Sequence, residues 1–392
     1  MPINFQQAVE QIRQMGSSAR QRSETLKALR QKARDLLREM SGQEPFLHEL
    51  VAEAMGKNPR LRTGEPALGR LDAAVTSTTP AEPCVLFAAD GSQINPDRHA
   101  AVEFGAINVG AIRIRPGQAP QETVQSKLLF YEDLYIGTAP LTEDIVALRR
   151  DLAEREMLFR LAKPERESGA QVVTLTDGPL ELYGEDQNSA VYREALEAYL
   201  DVLRDLARTG SAAAGYVDKP RSNYLVNLLE LVLLKRSGTL DKSGQEHPLF
   251  PVHDGDLFEG LLQPGQRSAV FALRSISAAR FKGELALHFF YINVGRPGKS
   301  QLGRVEIPHW VAEDPDLLGL LHASLVDQSR QMGARPYPYI LHRAHEVAVV
   351  SFAEKDQLEV MIQAELRKHG ADAGEGSQKQ GNKELEGRTR LK

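Results

Sequence analysis

The chain has 392 residues, 42% apolar and 26% charged, which allows one large domain with additions or two domains and is the balance of a soluble globular protein. Its one cysteine, Cys84, excludes an internal disulfide and any multi-cysteine metal site, and with no charged-then-apolar leader it sets the expectation of a cytoplasmic protein. The net charge of −5 is opposite in sign to that of most nucleic-acid binders, but it is uneven: residues 1–63 hold 11 Lys+Arg against 7 Asp+Glu, which leaves the remainder at −9, and a core that gathers carboxylates around cations would have that sign too.

Residues 4–56 read as helix, with Phe5, Val9 and Ile12, then Leu26, Leu29, Ala33, Leu36, Leu37 and Met40 at helical spacing, and an interruption near Gly16 and Ser17-Ser18. Seven basic residues between Arg20 and Arg38 are interleaved with those apolar ones. The plainer reading is a solvated face on a packing or dimerising helix, and the sharper one a DNA-backbone arm. Residues 1–63 are therefore taken as an N-terminal helical arm and residues 64–82, rich in Pro, Thr, Gly and Ala, as a linker to a domain over 83–368.

That domain opens on Val85-Leu86-Phe87-Ala88-Ala89, a strand ending in a turn at Asp90-Gly91-Ser92. Strands are expected at Phe104 to Ile114 and near Leu128 to Tyr131, an amphipathic helix over 141–162, and a buried strand from Gln171 to Thr176 that ends at Asp177-Gly178-Pro179. Helices follow over 188–208 and 222–236. The second contains the most apolar run, Tyr224 to Leu234, which is about half the ~20 residues a membrane span needs, so no membrane association is expected. After a loop over 237–250 come strands at Ser268 to Leu273, Leu285 to Val294 and Arg304 to Ile307, then helices over 315–332 and 340–368. Residues 369–392 have almost no apolar content and are expected to be disordered. Alternating strands and helices point to an α/β fold with helices on both faces of a sheet.

Two of these strands end in Asp-Gly, at Asp90 and Asp177. Ligands gather beyond the carboxyl ends of strands in open α/β sheets, and paired carboxylates there make a hard-oxygen site suited to Mg²⁺ or Mn²⁺. Each Asp-Gly alone is a common turn dipeptide. On the helix over 141–162, Glu154 and Glu156 point in different directions, and the stripe Arg150, Glu154, Leu158 turns Glu154 inward. His345, at the opening of the apolar run Val347 to Val350, is a candidate metal or phosphate ligand, with His322 and His342 equally available by composition. Lys219 and Arg221 lie in a loop at a helix start, a place that favours phosphate but is by default a surface turn. No P-loop and no Gly-x-Ser-x-Gly elbow is present, which argues against an ATPase and a serine hydrolase.

The ordered set of segments is similar to the NurA nuclease family: Ala89-Asp90-Gly91-Ser92-Gln93-Ile94 with Pro96 and Arg98-His99, Ile107-Asn108-Val109-Gly110, Thr176-Asp177-Gly178-Pro179-Leu180, and Gly215 to Ser222. Phe290 to Gly295, Arg304 to Pro308, and Tyr337-Pro338-Tyr339 leading to Ala344-His345-Glu346 continue it, so that it covers roughly residues 83–365. The resemblance implies a ribonuclease-H-like core with a mixed central sheet flanked by helices, to which the N-terminal helices are an extension. It implies a Mn²⁺-dependent deoxyribonuclease, with Mg²⁺ as the alternative cation, that acts as a 5′–3′ exonuclease and single-strand endonuclease in end resection for double-strand break repair. A homodimer docked on a HerA-type hexameric ATPase, and single-stranded DNA and duplex ends as substrates, are implied with it. The family's metal ligands match Asp90, Glu154 and Asp177, with Glu156 as the alternative for the middle one, and Tyr337 and His345 complete the site. Lys219 and Arg221 are the candidate DNA contacts at its rim. Two competing readings are a NurA-like adaptor that binds DNA without cutting it, and a metal-dependent hydrolase of a non-nucleic substrate.

Overall fold

A computed structural model of the chain describes residues 4–77, 84–137, 139–182 and 189–370. The chain forms two compact units, one of Met1–Thr79 with Tyr216–Pro336 and the other of Pro80–Gly215 with Tyr337–Lys392. No helix among the described residues is long and apolar enough to cross a membrane. Residues 371–392, most of the expected disordered tail, lie outside the described residues.

The first unit opens with α1 (Phe5–Ser17), α2 (Ala19–Met40) and α3 (Glu44–Lys57). The break between α1 and α2 falls at Ser18, where it was expected, and a second falls at Ser41–Gln43. Only the later part of α2 is covered, by burial of Ala33, Leu36, Leu37 and Met40. Part of its basic stretch is engaged within the unit: Arg30 pairs with Asp256 at 2.8 Å and Arg34 donates to the Asp256 carbonyl at 2.7 Å. Next come β1 (Thr63–Leu68) and β2 (Val75–Thr76). β1 begins at Thr63, the last residue of the expected arm, and takes up the start of the stretch 64–82 that was expected to be a linker. Its Gly and Pro hid a strand whose first four residues are buried.

The second unit carries β3 (Cys84–Ile94), β4 (Gly105–Ile114), β5 (Gln121–Leu129), the short pair β6 (Tyr135–Ile136) and β7 (Ala139–Pro140), α4 (Glu143–Glu167), β8 (Gln171–Asp177) and α5 (Ala190–Thr209). The chain then passes into the first unit within β9 (Ala212–Asp218). The order is β5-β4-β3-β8-β9. β3–β4 and β4–β5 are antiparallel, while β8, reached through α4, is parallel to β3. A three-strand meander followed by a helix and a parallel strand is the arrangement of the expected ribonuclease-H-like core. Two expectations are corrected here. β3 does not stop at Ala89 but continues through Asp90 and Gly91 to Ile94, because β4 pairs with it to its end. β5 spans nine residues where only its apolar end was legible, since eight of them are exposed or half-exposed on an edge strand.

In the first unit the remaining elements are α6 (Tyr224–Ser237), α7 (Asp254–Phe258), β10 (Gln266–Arg267), β11 (Val270–Arg274), β12 (Leu287–Asn293), β13 (Leu302–Pro308), α8 (His309–Glu313) and α9 (Pro315–Gln331). Its strands run β1-β11-β12-β13, with antiparallel pairing throughout. The second unit then closes with α10 (Tyr339–Ala348) and α11 (Phe352–Lys368). The single helix expected over 340–368 is thus two. Ser351 caps α11 in a reciprocal box with Glu354, which ends α10 three residues earlier. His345 accordingly lies in the last turn of α10, not at the opening of a helix.

Asp254 shows how the first unit satisfies a buried helix start. Its Oδ1 accepts from the Leu225 and Val226 N–H groups at 3.0 and 2.8 Å, and its Oδ2 accepts from the Tyr291 hydroxyl at 2.5 Å. Burial pushes its pKa from 3.8 to about 6, against those three donors. With the folded value above the unfolded one, the unfolded chain releases this proton first. Stability therefore falls as pH rises from about 4 to about 6, and the full deficit of ~3 kcal/mol persists above that range. Asp254→Asn keeps the Oδ1 acceptor without the charge. We expect the wild type to lose ~2 kcal/mol relative to this variant between pH 4 and pH 7 in urea unfolding, whereas an unchanged difference would refute the assignment.

Candidate active site

Alternation along β3 decides what reaches its end. Val85 to Ala89 are buried on both faces, and pairing with β8 runs from Cys84↔Gln171 to Ala89↔Thr176. The next residues on the two strands are Asp90 and Asp177. β8 stops there while β3 goes on, so this flank of β3 is open beyond Asp177 and side chains from both faces of the sheet gather at one place.

Asp90 points to the α10 face. Its Oδ2 meets His345 Nδ1 at 2.7 Å, and its Oδ1 accepts from the Gly91 N–H at 2.9 Å. Gly91 points to the α4 face, where a Cβ would stand 2.5 Å from Arg150 Cγ and 2.8 Å from Glu154 Oε1. Only glycine lets α4 bring these two side chains so close to the strand. Glu154 is buried at 7% exposure while Glu156 is exposed, so Glu154 is the one on this side of the helix. Asp177 accepts a hydrogen bond from Tyr337 and another from the Gly178 N–H at 3.1 Å.

The electrostatics tie these groups together. Burial raises the Glu154 pKa well above its ordinary value, and the charges of Asp151 and Asp90 push it further, against Arg150 and Arg155. Desolvation also raises Asp177; the Tyr337 hydrogen bond opposes this and the Asp90 charge adds to it. Asp90 thus acts on both other carboxylates. His345 offsets Asp177, while Arg150 offsets Asp90, Asp151 and Glu154: it bonds Asp151 at 2.8 Å and Gln93 at 3.2 Å and stands 3.6 Å from Glu154. Below it, buried Arg155 donates to the Tyr199 hydroxyl at 3.1 Å and to Thr176, the residue before Asp177.

Among the described residues no three His, Cys, Asp or Glu side chains stand close enough together to hold one cation between them. In donor type and charge the set nevertheless fits a hard divalent ion. It comprises three carboxylates, two of which, Glu154 and Asp177, have their pKa raised by burial and by the charge of the third, Asp90, which is partnered by an imidazole.

Asp90, Glu154, Asp177, Tyr337 and His345 therefore all belong to the second unit. Lys219 and Arg221 are exposed in the loop between β9 and α6 of the first unit. His322 is also in the first unit, where it is buried against the Gly265 carbonyl at 2.9 Å with its pKa pushed down to about 4 by burial, so it serves the core. His342 stands 3.5 Å from Glu346 on α10. Sequence reasoning missed Asp151 and Arg155 and gave Arg150 no role beyond marking a helix face. The i, i+4 spacing of Arg150 and Glu154 was the signal available for that ion pair.

A sequence model of the NurA domain matches residues 84–350, from the start of β3 to just past α10, a span that contains every residue of this site. No curated protein matches the chain by sequence. Among solved structures, that of the NurA nuclease from Sulfolobus solfataricus aligns over 94% of this chain and 98% of its own, at 13% identity and a TM-score of 0.54, which is a likeness of fold. The catalytic domain of human Endonuclease V aligns over 81% of this chain and 98% of its own, at 15% identity and a TM-score of 0.34.

Proposed function

The chain belongs to the NurA family of nucleases, and from that premise we propose that it is a Mn²⁺- or Mg²⁺-dependent deoxyribonuclease acting on single strands and duplex ends. Its proposed role is 5′–3′ exonuclease and single-strand endonuclease in end resection for double-strand break repair, as a homodimer with a HerA-type hexameric ATPase. The observation that carries this reading is the convergence of Asp90, Glu154 and Asp177 at the open flank of β3, with His345 on Asp90 and Tyr337 on Asp177.

Asp90, Asp177 and Glu154 would hold divalent cations between them in pairs, which when bound would supply the charge that neutralises a scissile phosphate and acidifies an attacking water. His345 has Nδ1 held by Asp90, which leaves Nε2 to hold or move a proton. Tyr337 orients the Asp177 carboxylate and has a hydroxyl suited to a phosphate oxygen. Arg150 keeps Glu154 and Asp151 in place at the flank of β3. Lys219, Arg221 and the unpaired parts of the basic stretch over 20–38 are proposed to contact the DNA backbone, which positions the strand without reading its sequence.

Salt separates this reading from hydrolysis of a small non-nucleic substrate. Binding of a labelled single strand should weaken by more than about tenfold between about 50 and 200 mM salt, and cleavage should stop in EDTA. Affinity indifferent to salt would favour the other substrate class. Sedimentation at micromolar concentration should show a dimer, and a monomer would count against the proposed assembly.

A further inference from the structure

Ser92 and Asn108 fall in the two motifs around Asp90 and Gly110 but have no part in the site as described so far. Pairing sets Ser92 opposite Asn108 and Asn108 opposite Ser126, in a row across β3, β4 and β5; Asp90 and Gly110 form a parallel row two residues away. Alternation puts Asp90, Ser92, Asn108, Gly110 and Ser126 on one face, and α10 lies over it.

Ala348 is the last residue of α10, and its carbonyl has no partner within the helix. It accepts from Ser92 Oγ at 2.6 Å and from Asn108 Nδ2 at 2.8 Å. Each donor is itself fixed from behind. Ser126 Oγ donates to Asn108 Oδ1 at 2.6 Å, which settles which end of the amide faces the helix, and the Val350 N–H donates to Ser92 Oγ at 3.2 Å. Gly110 sets the height: a Cβ there would stand 2.6 Å from the Ala348 nitrogen and 2.8 Å from the Val347 carbonyl carbon, backbone atoms that cannot rotate aside. His345 lies three residues before Ala348, on the same face of the helix, and so comes down on Asp90, two residues along β3 from Ser92.

We propose that Ser92 and Asn108 are positioning residues that, by capping the Ala348 carbonyl above Gly110, seat α10 so that His345 meets Asp90. The activity readout of this proposal rests on the nuclease reading, and its spectroscopic readout does not. In NMR spectra of the wild type, the His345 imidazole resonances, identified by their loss in His345→Gln, should move on Asp90→Asn. In an Asn108→Ala or Ser92→Ala background that response should shrink. In cleavage assays Asn108→Ala should lower kcat by about 10- to 100-fold, with less change in KM, as expected for a misplaced group. It should add no further loss in a His345→Ala background, since the two changes act through one contact. Ser92→Thr, which keeps the hydroxyl, should restore what Ser92→Ala loses. If Asn108→Ala fails to fold, Ser92→Ala carries both readings, because it leaves the Asn108 cap in place. An undiminished His345 response in the folded variants, or an equal loss with and without His345, would overturn the proposal. If the wild type does not cut DNA, the spectroscopic reading decides alone.

Discussion

Asp90→Asn is expected to lower DNA cleavage by about 10³-fold or more, equivalent to ~4 kcal/mol of transition-state stabilisation, without unfolding the protein. Asp90 is the carboxylate whose charge reaches both Glu154 and Asp177 and whose oxygen holds His345, so its loss removes the proposed metal ligand and the charged partner of the imidazole together. The fold should tolerate the change. Asp90 is only half-buried, and an Asn oxygen can still accept from the Gly91 N–H. Cleavage rates beside circular dichroism and Mn²⁺ titration calorimetry check this. A folded variant with wild-type rates and Mn²⁺ affinity would remove Asp90 from the site.

The second expectation contrasts two neighbouring glutamates. Glu154→Gln should cost about 10²- to 10³-fold in cleavage, whereas Glu156→Gln should leave it within about threefold. Two positions along α4 turn one side chain to Gly91 and Arg150, and the other, exposed, toward the edge of the sheet formed by β4 and β5. There Glu156 lines a separate cavity of about 500 Å³ with Ile107, Val109, Lys127, Arg149 and Arg160. Because burial holds the Glu154 pKa above its ordinary value, its ionised form is a net cost to the fold at neutral pH. Glu154→Gln should therefore melt no lower than the wild type, so that lost cleavage cannot be put down to unfolding. Equal effects of the two substitutions, or a larger one at Glu156, would reverse the assignment.

The sequence was most informative where burial imposes a pattern. The apolar runs at Val85 to Ala89 and Gln171 to Thr176 announced β3 and β8 because both faces of those strands are covered, and Asp177-Gly178 marked the place where β8 ends. It was least informative where neighbours in space decide. Asp90-Gly91 has the composition of a turn, yet it stays in a strand because β4 runs alongside it. β1 and β5 have no strand-like alternation to show, the first for its Gly and Pro and the second for its exposed edge. The break before α11 was legible after all in Ser351 and Glu354, three residues apart. At the site, the carboxylates could be named from their spacing and from the resemblance to a family. The arrangement that seats them could not, because Arg150, Ser92 and Asn108 act across strand and helix contacts that no local spacing records.

The most direct test of the central claim is degradation of an end-labelled duplex and single strand by the wild type in Mn²⁺, Mg²⁺ or EDTA, beside Asp177→Ala. A metal-dependent centre should give a product ladder with cation that disappears both in EDTA and in the folded variant. The same ladder in EDTA, or from folded Asp177→Ala, would contradict a metal-dependent centre at the end of β8.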